Sequence, residues 1–238
     1  MGAENPSCHS PLTVRDVVEH IYRGTCLVPA AHEGDLVLSS QQIVALFDFL
    51  MREHGVGTFL FWSLDKSKIK NYHFYEMSKD QKQSGGCAID DVDNGDCVTV
   101  VLDGRRRLTS LYAGLKGSNG SGIPWETDDF GGDAKNRVLY LNLLYDPDKP
   151  DDSYEFRFLT IREAMKRDQK THWFDVSRIL DFRGAEDIAR YLEENDLMEG
   201  DTPRRVLCKL YQVINESGAI SYYLETSEEL GDVIMKFV

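Results

Sequence analysis

The chain has 238 residues, with 27 Lys and Arg against 40 Asp and Glu, a formal net charge of −13 at pH 7. A 42% apolar content excludes a disordered chain, and the acidic balance excludes a protein that coats duplex DNA or an anionic membrane by bulk charge. No run approaches the ~18 apolar residues of a membrane span, and Met1-Gly2-Ala3-Glu4-Asn5-Pro6 lacks signal-peptide regions, so a soluble cytoplasmic protein with no membrane partner is expected.

In chain order, Thr13-Val14-Arg15-Asp16 has the form of a capping box, with Val14, Val17, Val18 and Ile21 on one face of a short helix closed by Gly24. Ser39 or Ser40 can cap a second helix, whose Ile43, Val44, Leu46, Phe47, Leu50 and Met51 follow the 3.6-residue period up to Gly55. Thr58 to Leu64 and Tyr72 to Met77 read as strands. Asp90 to Asp96 contains Asn94-Gly95, the strongest short hairpin signal. Its four aspartates miss EF-hand spacing, which favours a solvated turn over a metal site. Cys97 to Leu102 is a β-branched strand running into Asp103-Gly104.

Residues 117–137 form a glycine-rich loop that divides the chain into a core at 1–116 and an extension at 138–238. Val138 to Leu144 and Tyr154 to Leu159 read as a strand pair. Helical segments follow: Thr160-Ile161-Arg162-Glu163 as a capping box, Gly184 to Asn195, and one beginning with Thr202 as cap and Pro203 at the first helical position. Ile220 to Leu224 reads as a strand, and the apolar series from Leu230 to Val238 stops without a cap, as a truncated helix would. The fold class is α+β. Five cysteines without a C-x-x-C pair read as reduced, mostly structural thiols, and the histidines show no ligand spacing, so no metal centre is assigned.

The chemically loaded segment is Asp103-Gly104-Arg105-Arg106-Arg107-Leu108-Thr109-Ser110, read as strand, tight turn and helix start. Three arginines in a first helical turn oppose the macrodipole and one another, at about 0.3–1 kcal/mol per exposed charge. A bound anion would compensate: helix N–H groups and Arg forks make a phosphate site, Gly104 gives backbone access, and Thr109 and Ser110 add hydroxyls. Asp103 could then orient an arginine, hold a ribose hydroxyl or carry a metal ion beside the phosphates. The alternative is structural: Asp103 caps the helix and the arginines pair with the protein's own carboxylates.

Leu102-Asp103-Gly104-Arg105-Arg106-Arg107-Leu108-Thr109-Ser110-Leu111 resembles the D-G-Q-Q-R-L-T-T-L signature of the N-terminal domain of GmrSD-type restriction endonucleases, within the ParB/sulfiredoxin-like group. Gln42-Ile43 to Leu50, Gly57 to Trp62, Phe156 to Leu159 and Trp173 to Ser177 resemble further landmarks of that family. The resemblance implies a ParB-like mixed sheet with helices, followed by an α/β to mostly helical part. It also implies binding and hydrolysis of a nucleoside triphosphate with Mg²⁺ in defence against phage. Asp103 and Arg107 would be catalytic, and Gly104, Arg105, Arg106, Thr109 and Ser110 would hold the nucleotide. DNA cleavage would fall to a separate HNH-type nuclease domain or subunit, with no nuclease site in this chain.

Three departures bear on that expectation. Arg106 stands where the family has a neutral Gln, exchanging an amide that could place a water for a cation that tightens phosphate binding. At Pro29 to Val37, which aligns with a P-x-F-Q-R-x-x-V-W motif, the Gln-Arg pair is His32-Glu33, a reversal of charge unfavourable to a polyphosphate. His32 and Glu33 are therefore either the trace of a degenerate module, for protein interaction or DNA sensing, or an acid/base pair. The third is the ending, before the family's F-x-R-x-N-x-G-G segment.

Overall fold

The computed structural model describes residues 11–29, 39–71, 74–77, 97–116, 137–147, 152–166 and 169–226. His32, Glu33, the aspartate-rich turn, the loop at 117–136 and the segment from Ser227 onward lie outside these residues. No described helix is long and apolar enough to cross a membrane.

Helix α1 (Val14–Tyr22) starts from the capping box: Thr13 accepts from the Asp16 backbone N–H and the Asp16 carboxylate accepts from Thr13. It buries Val14, Val17, Val18 and Ile21, as its spacing predicts. Strand β1 (Cys26–Pro29) follows, and then α2 (Ser40–Met51), where Ser39 holds the N-cap position without a side-chain capping bond. Strand β2 (Thr58–Asp65) leads through a 3₁₀ turn (Lys66–Asn71) to β3 (Phe74–Glu76). Strand β4 (Cys97–Asp103) runs into α3 (Arg105–Lys116).

After the loop come β5 (Arg137–Asn142), β6 (Phe156–Thr160), α4 (Ile161–Ala164) and β7 (Trp173–Asp175). A 3₁₀ turn (Val176–Asp181), α5 (Ala185–Glu194), α6 (Thr202–Tyr211), a π turn (Gln212–Glu216) and β8 (Ser221–Glu225) complete the described chain. Thr202 is not the cap of α6: the helix includes it, and Asp201 takes the N-cap position. Strands β1 and β7, at four and three residues, are too short to display an alternation and escape the sequence reading.

The architecture is α+β with two small sheets. The first has the order β3-β1-β4-β2-β8, with β1/β3 and β2/β4 antiparallel and β1/β4 and β2/β8 parallel. The second, β6-β5-β7, is antiparallel throughout. Backbone pairing crosses the division of the chain at the glycine-rich loop. Strand β8 pairs with β2, and Leu12 bridges Ile220. One buried apolar cluster accordingly runs from Val14 to Ile220.

The first sheet is covered on both faces. In β4, Val101 joins the large cluster, while Val98 and Val100 join a second one with Leu27, Trp62, Leu64, Ile69 and Phe74. Near the end of the β2/β4 pair the register shifts: Leu60 faces Asp103 and Phe61 faces Val101, which leaves Leu102 as an extra residue. Such a bulge re-aims the residues that follow it, here the Asp103-Gly104 turn.

Helix α3 lies at the centre, against α1, α2, β5 and the 176–181 turn. Leu108, Leu111, Ala113 and Leu115 are fully buried. Gly114 permits the approach of α2, since a Cβ there would stand 2.3 Å from Phe47 Cε2 and 3.3 Å from Leu139 Cδ2. The helix that begins with three arginines is thus anchored by its remaining two turns.

Candidate functional site

At the junction of β4 and α3, Gly104 has φ +92°, a conformation that strains any residue bearing a Cβ. The Gly104 carbonyl accepts the first helical bond, from Leu108 N at 3.0 Å, so Gly104 holds the cap position that one reading gave to Asp103. A Cβ on Gly104 would also lie 2.2 Å from Phe59 Cδ1. The glycine is therefore demanded by the turn and by the packing of Phe59, before any ligand is considered.

Arg107 is tied to three acceptors and a ring. Its Nη1 donates to Val56 O at 2.6 Å, and its Nη2 donates to Thr58 O at 3.0 Å and to Asp103 Oδ2 at 3.3 Å. Its guanidinium carbon sits 4.4 Å from the centre of the Phe59 ring, within cation–π range. The Asp103 side chain is 71% exposed against 33% for Arg107, which makes their ion pair a weak contributor, about 0–1 kcal/mol. The two carbonyl bonds define the geometry. Together they staple the Val56-Gly57-Thr58 approach to β2 onto the start of α3. Gly57 has φ +81°, and a Cβ on it would lie 2.4 Å from Arg107 Nη1.

The remaining members of the motif separate into two groups. Arg105 is half-buried and Arg106 exposed; burial lowers the pKa of the Arg105 guanidinium from its ordinary value. Thr109 and Ser110 are 5% and 6% exposed, and the Ser110 hydroxyl donates to Arg106 O at 2.8 Å within the helix. The hydroxyls proposed for a ligand are thus part of the packed helix, while Arg105 and Arg106 remain at its surface end. No acidic residue stands in the first turn of α3, in contrast to Asp16 in α1 and to Glu186 and Asp187 in α5.

The structure brings Asp103, Gly104 and Arg107 together with Val56 to Phe59, which sequence reasoning left out of the site. A glycine just ahead of an aromatic strand is a visible signal, but the partnership of Gly57 with a side chain fifty residues away is a tertiary fact. Among the described residues no group of three or more His, Cys, Asp or Glu is gathered in the manner of a metal centre. The carboxylate of the turn, Asp103, is exposed and accepts from Arg107.

The described histidines contact their neighbours: His20 Nδ1 lies 3.3 Å from Thr25 Oγ1, His172 Nε2 lies 3.0 Å from Tyr191 Oη, and the His54 ring is tilted against Phe49 with centres 5.4 Å apart. Elsewhere, a groove of about 610 Å³ runs between α2 and residues 153–159, lined in part by Val44, Asp48, Phe49, Arg52, Tyr154 and Phe158. Its buried carboxylate is internally matched, since Asp48 accepts from Tyr154 N at 2.8 Å and pairs with Arg52 at 3.0 Å. None of the residues 103–110 lines it. No family model matches the sequence, and no curated protein matches it.

Proposed function

We propose that the chain is a nucleotide-binding regulatory domain, with a ParB/sulfiredoxin-like core, of a cytoplasmic restriction system directed against phage. The observation that carries the reading is the first turn of α3: Arg105, Arg106 and Arg107 follow Gly104, with no acidic residue in that turn. Positive charge at a helix N-terminus favours an anion, and a nucleoside triphosphate with Mg²⁺ is the anion that the sequence resemblance implies. Arg105, Arg106 and the backbone N–H groups at the start of α3 hold the phosphates, Asp103 faces the metal or water, and Arg107 fixes the turn. DNA contact and cleavage then belong to an HNH-type partner domain or subunit.

Thermal shift with ATP, GTP, CTP and UTP, each with Mg²⁺, tests the binding. Stabilisation by at least one nucleotide, lost in an Arg105→Ala/Arg106→Ala variant, is the expected result. An unchanged melting temperature with all four would sink the reading.

A second reading, a non-hydrolysing module of the same fold that serves protein interaction or DNA sensing, is favoured by the burial of Thr109 and Ser110 and by the engagement of Arg107. Phosphate release separates the two: nucleotide binding with background hydrolysis selects the silent module, and turnover selects the triphosphatase.

A further inference from the structure

Arg107 sits between two parts of the chain that meet only in the folded state. Its fork holds Val56 O and Thr58 O on one side and Asp103 on the other. The segment it holds is the entry to β2, where Thr58 lies opposite Ser221 and Phe59 opposite Tyr222 of β8. The aromatic contacts run the same way. Arg107 lies on Phe59, Phe59 stacks on Phe61 with centres 6.1 Å apart, and Phe61 meets Tyr222 at 5.3 Å. Among the described residues β8 is an edge strand of its sheet.

We propose that Arg107 is a positioning residue that latches the β4–α3 turn to the β2–β8 edge, so that the state of the turn sets the local stability of β8. Both glycines beside the fork have positive φ and leave room for no Cβ against Arg107 or Phe59, so the fork is packed closely where it holds the β2 entry. A charged fork on two carbonyls holds more firmly than neutral bonds, and an anion that orders the start of α3 orders β8 through it. The anion's identity as a nucleotide rests on the function proposed above; the latch itself does not.

Hydrogen exchange read by mass spectrometry on the full chain separates the two claims. Without ligand, Arg107→Lys keeps the charge and loses the fork. It is expected to speed exchange in residues 56–62 and 221–225 about tenfold, while 137–142 and 156–160 keep their wild-type rates. Unchanged exchange at 221–225, or an equal rise in every segment, overturns the latch. Should Arg107→Lys fail to fold, Asp103→Ala removes one of the three acceptors of the fork and is read by the same segments, with a smaller rise.

With ATP and Mg²⁺, wild-type residues 221–225 gain protection. At nucleotide concentrations that saturate Arg107→Lys by calorimetry, its residues 221–225 gain no such protection, and protection equal to the wild type's overturns the coupling. Binding with no protection at 221–225 in the wild type overturns the coupling. An absence of binding with each of ATP, GTP, CTP and UTP overturns the nucleotide reading and leaves the latch to the ligand-free comparison.

Discussion

The guanidinium of Arg107 and the backbone of Gly57 occupy adjoining space that no side chain can share: a Cβ on residue 57 would stand 2.4 Å from Arg107 Nη1, the atom that donates to Val56 O. Arg107 can swing aside, but only by giving up that bond. Gly57→Ala therefore combines a left-handed backbone penalty with a broken charge-assisted hydrogen bond, together about 2–3 kcal/mol. Urea unfolding checks the loss, and a variant as stable as the wild type would show that the fork is dispensable.

Helix α3 presents the opposite balance at Gly114. Alanine there would gain up to about 1 kcal/mol of helix propensity, yet its Cβ would meet the fully buried Phe47 ring at 2.3 Å. Overpacking of about 1–3 kcal/mol prevails. Gly114→Ala should lower the unfolding midpoint, and should cost less in a Phe47→Leu background; equal costs in the two backgrounds would mean that the contact is not the cause.

The cysteines differ in reactivity for a physical reason. Cys26, 5% exposed, has its thiol pushed up by burial from an ordinary value near 9 to about 12, while Cys97 and Cys208 are exposed. A maleimide should label Cys97 and Cys208 in the native protein and reach Cys26 only on unfolding. Burial likewise pushes the Tyr191 phenol up to about 12. Both groups keep their protons in the fold at pH values where the unfolded chain releases them. Stability should fall as pH climbs from about 9, with a slope of up to ~1.4 kcal/mol per pH unit for each group. Cys26→Ala should flatten the lower part of that fall.

At the acid end, Glu163 works in the reverse sense. Its carboxylate accepts from Thr160 N at 2.8 Å and from the Arg137 fork at 2.9 and 3.1 Å, and the Thr160 backbone bond first, with Thr160 Oγ1 and Arg137, lowers its pKa from an ordinary 4.5. Its contribution is present above that value and is lost as pH falls through the lower, folded value. Glu163→Gln should cost stability at pH 7 and narrow its gap from the wild type toward pH 3; a pH-independent gap would contradict the charge-based account.

Within the motif, Arg106 is exposed and stands where the resembling family has glutamine. On the proposed nucleotide-binding reading, Arg106→Gln should weaken nucleotide binding about three- to tenfold, and should raise phosphate release if the chain is the triphosphatase. Unchanged affinity would remove Arg106 from the binding surface.

Elements whose signal is local were legible beforehand. The Thr13 and Thr160 capping boxes, the α1 face at Val14, Val17, Val18 and Ile21, the β5–β6 pair and the strand–turn–helix of 97–116 are present because caps, periodicity and turn residues act within a few positions. β1 and β7 were not legible, because strands of three or four residues are stabilised by their neighbours in the sheet.

By itself the sequence determined an acidic α+β chain with three consecutive arginines at one turn. Only the tertiary structure decided what that turn does to its own residues. It spends Arg107 on Val56 and Thr58, buries Thr109 and Ser110, and sends β8 back across the chain to pair with β2. The physical reason is range: propensity and capping are settled within one turn of helix, whereas a guanidinium finds its acceptors wherever the packed core delivers them.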